Sequence, residues 1–186
     1  SITATFVANA SDSCVLRTYP KPTLTAFISG NDTICDNTNK PAEVSISFSG
    51  APPYTFTYAH NGVDQPSITT TTNPYTIYTT EEGLYTLTSF TQANEVGWMS
   101  GSALVTVLAS PVANFEPQPD TMEVLYTTTQ LVDQSEGNII NWQWDFGDNT
   151  PADFTRNPYH TYPDSAGIYQ ITMIISDANG CSDTTF

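Results

Sequence analysis

Four short segments alternate apolar and hydroxyl-bearing side chains: VSISF at 44–48, YTFTY at 54–58, YTLTSF at 85–90 and ALVTV at 103–107. A period of two puts alternate side chains on opposite faces of an extended chain, so each segment predicts a strand with one face against a core. Turn signals separate them, SGAPP at 49–53, HNG at 60–62, TTNP at 71–74 and EEG at 81–83, and no helical period of useful length occurs. Short strands of this kind bury their apolar faces by stacking one sheet on another. Composition agrees: Thr, Ser, Asn, Pro and Tyr crowd a chain with only 12% charged residues, and 39% hydrophobic content over 186 residues suffices for one or two small cores. The fold class is all-β.

An internal repeat refines this. EEGLYTLTSF at 81–90 resembles DSAGIYQITMII at 164–175, because in each an acidic turn leads to Gly, an aliphatic residue, Tyr and then an alternating strand. That order is the one of a tyrosine corner, in which a Tyr at the start of a late strand of an immunoglobulin-like sandwich bonds back to nearby backbone. Tyr85 and Tyr169 are the candidates. Leu87 and Ile171 stand where antibody domains carry a cysteine, so apolar packing replaces that inter-sheet bridge. The chain thus reads as tandem immunoglobulin-like β-sandwiches.

The opening ITATFVANAS and VLRTYPKPTLTAF loosely mirror YTLTSFTQAN and LVTVLASPVANF. Residues 1–21 are therefore expected to be the last strands of a preceding repeat, with one sandwich at 22–109 and another at 110–186. The closing SDTTF suggests that the last sandwich lacks its final strand, leaving an open edge able to accept a strand from a partner. On this reading the sequence is a fragment of a longer array.

Charge removes several functions. Four Lys and Arg against 19 Asp and Glu give a net charge of -15, which repels phosphate backbones and anionic lipid surfaces, so neither nucleic acid binding nor membrane association is expected. No apolar run is long enough to cross a bilayer, and the first residues lack the regions of a signal peptide. Three cysteines, Cys14, Cys35 and Cys181, form no CxxC pair and leave the redox compartment open.

The densest run of reactive residue types is NWQWDFGDNTPADFTRNPYHTY at 141–162. Strand alternation sends Ile140, Trp142, Trp144 and Phe146 to one face, with Trp144 deepest, and Ile139, Asn141, Gln143 and Asp145 to the other. Gly147 permits a tight turn whose amides Asp148 and Asn149 can cap. Asp145 and Asp148 as a glycosidase pair would need a cleft that a small sandwich does not supply, and neither His60 nor His160 has a nucleophile to activate. No enzyme activity is expected. Aromatics off the inward period, Trp98, Tyr78 and Tyr159, are candidates for stacking on sugar rings.

WDFGD, NPYHTY and AGIYQITMIISDANGCSD, with the opening PVANFEP, resemble a PKD (polycystic kidney disease) domain over most of 112–186. The resemblance makes Trp144, Asp145, Phe146, Gly147, Asp148, Pro158, His160, Tyr162, Gly167 and Tyr169 a structural signature, with Tyr85 its counterpart in the middle domain. DNT at 148–150 departs from the Asp-Gly usual in the family. The middle domain is similar to repeats of gliding-motility-associated and adhesin proteins of Bacteroidota, which often precede a PKD domain and a sorting domain read by the type IX secretion system. Those repeats commonly carry a second cysteine near the SGS segment; here EVGWMSGS has none, so that disulfide is expected to be absent.

Some PKD domains bind calcium near domain junctions, which makes Glu116, Asp120, Asp145, Asp148, Asp177 and Asp183 candidate ligands, although no calcium-loop spacing occurs and DANG has a single carboxylate. The resemblance implies non-catalytic spacer modules of a large secreted cell-surface protein, requiring no cofactor. The implied partners are neighbouring domains, the secretion or motility machinery, or a glycan. The alternatives are carbohydrate-binding accessory modules of a secreted enzyme and a calcium-stabilised interaction module.

Overall fold

The structure, a computed structural model, describes residues 2–8, 14–20, 23–38, 40–120, 127–163 and 167–186, the first two stretches by backbone alone. Every regular element among them is a strand. The chain divides into two compact units, Ser1–Thr33 with Lys40–Thr106, and Ile34–Asn39 with Val107–Phe186. Residues 34–39 thus belong to the second unit although they lie inside the span 22–109 expected for the first sandwich.

In the stretch expected to be a remnant, β1 (Ile2–Ala8) and β2 (Cys14–Pro20) pair antiparallel as their own two-stranded sheet. Then follow β3 (Thr25–Ser29), β4 (Asp32–Cys35), β5 (Ala42–Phe48), β6 (Tyr54–His60), β7 (Val63–Asp64), β8 (Ile68–Thr70) and β9 (Tyr75–Thr79). After them come β10 (Gly83–Gln92), β11 (Glu95–Val96), β12 (Trp98–Gly101) and β13 (Ala103–Leu108). One sheet runs β12-β3-β5-β9, the other β4-β13-β10-β6-β7, with β8 on β6 and β11 on β10. All four alternating segments seen in the sequence lie in strands. Their inward residues, among them Val44, Ile46, Phe48, Phe56 and Val105, make the core with Ala26 and Ile28 of β3. A register shift between Leu87 and Ser89 reverses the parity of β10, which is how both Tyr85 and Phe90 come to be buried.

The second unit contains β14 (Phe115–Gln118), β15 (Thr128–Asp133), β16 (Ile139–Asp145), β17 (Tyr159–Thr161), β18 (Thr172–Asp177) and β19 (Ser182–Thr185). Two three-stranded sheets, β14-β15-β17 and β16-β18-β19, enclose Leu131, Trp144, Phe146, Tyr162, Met173 and Ile175. After the DANG turn and Cys181, Ser182–Thr185 form β19, which pairs with β18 from Ser176↔Ser182 to Met173↔Thr185. Alternation along β16 holds for Trp144 and Phe146 but fails at its start. A register shift between Ile139 and Asn141 leaves Ile140 exposed and turns Ile139 to the core instead.

Candidate functional site

In the second unit the run 141–162 folds back on its own tryptophan. Trp144 is 0% exposed, T-shaped against Phe115 with ring centroids 5.2 Å apart, and its indole N–H donates to the Thr155 carbonyl at 2.9 Å. Its backbone exchanges bonds with Asp153, Trp144 N to Asp153 O at 2.8 Å and Asp153 N to Trp144 O at 3.2 Å. Asp153 in turn accepts from the Thr155 amide and hydroxyl at 2.7 and 2.6 Å, which holds its carboxyl below the ordinary range. The loop is thereby strapped across the indole.

Asp148 and His160 form a closely shielded polar pair. His160 Nε2 donates to Asp148 Oδ2 at 2.8 Å, with the two side chains 11% and 4% exposed. The imidazole lies flat on Phe146, centroids 3.8 Å apart and planes 5° from parallel, and meets Tyr162 edge-on at 4.6 Å. Asp148 Oδ1 also accepts from the Thr150 amide and hydroxyl at 3.1 and 2.6 Å. Burial pushes this carboxyl up, but the bonds from Thr150 and His160 outweigh it and hold Asp148 at about 2. Tyr162 donates to the Phe146 carbonyl at 3.0 Å, and burial, with the Asp148 charge beside it, pushes its phenol up to about 12.

The remaining signature residues serve the same turn. Asp145 accepts from Gly147 N at 2.9 Å, and Gly147 sits at φ 75°, where a Cβ would strike the Gln170 backbone. The carbonyl of buried Pro158 accepts from Leu131 N at 2.9 Å. Tyr169 stacks on Tyr162 at 4.5 Å, in space that a side chain at Gly167 would enter. The upstream backbone that a Tyr169 corner bond would reach, at 164–166, lies outside the described residues. In the first unit the corner is complete: Tyr85 is buried and donates to the Glu81 carbonyl at 3.0 Å, with Thr79 Oγ1 at 2.8 Å. His60 stacks on Tyr85 at 4.6 Å, donates from Nε2 to the Glu82 carbonyl at 2.9 Å and places Nδ1 3.3 Å from Glu81 Oε2. It belongs to that corner, where it is held by Tyr85, Glu81 and Glu82.

The candidate calcium ligands are dispersed in use. Asp177 accepts from the Asn179 and Cys181 amides, each at 2.9 Å, which closes the DANG turn. Asp183 accepts from the Ala113 amide at 2.7 Å. Glu116 is exposed on β14 and Asp120 lies in the bend that follows it. Among the described residues no three His, Cys, Asp or Glu side chains converge as a ligand set. Of the aromatic candidates, Tyr159 is exposed on β17, whereas Trp98 and Tyr78 share a face of the β12-β3-β5-β9 sheet. The pairings Trp98↔Thr25, Ser100↔Phe27, Phe27↔Ser47 and Glu43↔Tyr78 set Trp98, Phe27 and Tyr78 on one outward diagonal, with Ser and Thr between. Trp98 is 74% exposed.

Two features escaped the sequence reading. Cys35 and Cys181 form a disulfide across 146 residues, where an odd cysteine count gave no local pairing signal. Asp133, its side chain 0% exposed, accepts from Arg156 Nε and from the Ser135 amide at 2.9 and 3.0 Å. Burial raises this carboxyl, and the bonds from Ser135 and Arg156 more than offset it, leaving it below the ordinary range. Arg156 also lies over the Trp142 ring, 5.7 Å from its centroid, while the buried Trp142 Nε1 sits beside Asp133 without the geometry of a hydrogen bond. The lone late arginine in the run was visible; its partner, 23 positions upstream, was not.

The sheets and cores define a class, tandem immunoglobulin-like β-sandwiches. Within it, residues 108–186 match the family model of the PKD domain. The chain is 35% identical over 98 residues to the pre-pro-metalloprotease PrtV of Vibrio cholerae serotype O1, in two strains; the match takes in 53% of this chain and a tenth (10%) of that protein. Among solved structures, the fibronectin(III)-like modules of Clostridium thermocellum CbhA are 13% identical with a TM-score of 0.38, over 86% of this chain and 90% of that one. A chimeric titin Z1Z2 tandem is 12% identical with a TM-score of 0.31, over 98% and 96%. No helix of the described residues is long and apolar enough to cross a membrane.

Proposed function

We propose that these are non-catalytic spacer modules of a large secreted cell-surface protein, an adhesin or a gliding-motility-associated protein that reaches the surface by the type IX route. The observation that carries the reading is the pairing of Asp148 with His160 beneath Phe146. The acid and the imidazole nearest to a catalytic pair are bonded to each other, the acid also accepts from Thr150, and their use is internal. The disulfide supports an oxidising compartment outside the cytosol. In the full-length protein, residues 23–186 are to be replaced by two unrelated β-sandwiches of similar length. A spacer role predicts that adhesion or gliding survives the exchange and falls when the segment is shortened; loss of activity with a well-folded replacement at the cell surface overturns it.

A second reading, accessory modules of a secreted enzyme that hold a glycan, is supported by the match to a pre-pro-metalloprotease and by the aromatic diagonal of Trp98, Phe27 and Tyr78. Rings separated by hydroxyl-bearing side chains suit the apolar faces and rims of neutral sugars. Binding of the isolated chain across a polysaccharide panel, lost in Trp98→Ala, is the expected result for this reading; silence across the panel removes it.

A further inference from the structure

Cys181 is fully buried at the turn between β18 and β19, where its amide donates to Asp177 Oδ1 and its carbonyl accepts from Asp177 N, both at 2.9 Å. Its partner Cys35 ends β4 and belongs to the six-residue segment 34–39 of the second unit. That segment is fixed further by Asp36 N to Leu108 O at 2.9 Å, Ser110 N to Asp36 Oδ1 at 2.9 Å and Asn37 Nδ2 to Ser182 O at 2.8 Å. Tension applied between residues before Cys35 and residues after Cys181 has a short covalent route, along the chain to Cys35, across the sulfurs and out through β19. Everything from 36 to 180 hangs in the closed loop and lies off that route.

We infer that the Cys35–Cys181 disulfide is a length-limiting clamp, which takes β5 to β18, the bulk of both sandwiches, out of the path of an end-to-end pull. The strands left in the path are those before Cys35 and the edge strand β19. Of these, β3 lies between β12 and β5 in its sheet and buries Ala26 and Ile28. At roughly 3.5 Å per extended residue, the 146-residue separation withholds about 500 Å of chain. The clamp deepens the spacer reading and rests on it only for its use in the cell; the force path itself is a property of the bond.

The test is single-molecule stretching of the 186-residue chain from handles at its two ends, in a Cys14→Ser background so that a single pair can form. The oxidised chain is expected to reach a full extension on the order of 150 Å, and the Cys35→Ser/Cys181→Ser chain about 500 Å more. Extension of the oxidised chain to the length of the double variant overturns the clamp, as does the absence of a Cys35–Cys181 cross-linked peptide in a non-reducing digest. Neither outcome depends on how the variant folds. A clamp measured here together with a failed domain exchange would refute the spacer reading alone.

Discussion

In the first unit the Tyr85 hydroxyl holds the turn before its strand by donating to the Glu81 carbonyl, while Asn61 Oδ1 caps Leu84 N at 2.9 Å and Asn73 exchanges bonds with Phe48 at 3.0 and 2.8 Å. In the second unit the same work falls to Asp133, Asp148, Asp153 and Asp177. Among the described residues, the groups held below their ordinary range, Asp36, Asp133, Asp148 and Asp153, belong to the second unit, whereas the shifted groups of the first are the Tyr58 and Tyr85 phenols, raised chiefly by burial. Neutral caps stabilise a turn at any pH. Ionised caps bind more strongly, at roughly 1.5–3 kcal/mol against about 1, but only while the carboxylate keeps its charge. A run that concentrates acids and a histidine is thus what a small sandwich with charged caps looks like in sequence.

The largest effect expected is from the two features that only the second unit has. Breaking the disulfide with Cys35→Ser/Cys181→Ser is expected to cost about 5 kcal/mol in the loop-entropy limit, measured by denaturant unfolding. Trp144→Ala should cost about 3–5 kcal/mol and melt the second sandwich selectively, which amide exchange resolved by peptide would detect as lost protection in 127–186 with protection kept in 40–106. Equal loss in both regions would mean that the two cores are not energetically separate.

Smaller effects sharpen the contrast between charged and neutral caps. Asp148→Ala leaves His160 Nε2 and the Thr150 amide without their acceptor and should cost about 1–3 kcal/mol at neutral pH. Tyr85→Phe deletes the neutral bonds to the Glu81 carbonyl and to Thr79 Oγ1 and should cost about 1–2 kcal/mol, the same at every acidic pH. Trp98→Ala should leave the unfolding midpoint within about 0.5 kcal/mol of the parent, because its side chain is exposed.

The all-β fold was legible because a period of two survives wherever one sheet face is buried, and the repeat of Gly, aliphatic residue and Tyr located the corner at Tyr85. Alternation failed at Ile140 and was reversed between Leu87 and Ser89, since a bulge adds one residue and changes parity without a residue-type signal. Trp144 and Phe146 were readable as core, and Asp148 as a turn residue. The partners were not. The Asp148–His160 bond spans 12 positions, Asp133–Arg156 spans 23 and the disulfide 146, and distances of that kind are set by how strands cross rather than by local pattern.

The central claim, that the acids of WDFGD and its neighbours are caps of a fold, is tested most directly by following unfolding of each unit against pH. A carboxyl whose folded value of about 2 lies below its unfolded value of 3.8 contributes fully above the latter and nothing once pH falls below the former. The second unit is therefore predicted to lose stability progressively from about pH 4 to about pH 2, with Asp148→Ala removing part of that loss, while the first unit changes far less. Parallel loss in the two units, or an Asp148→Ala chain with the parent's full acid dependence, would contradict it.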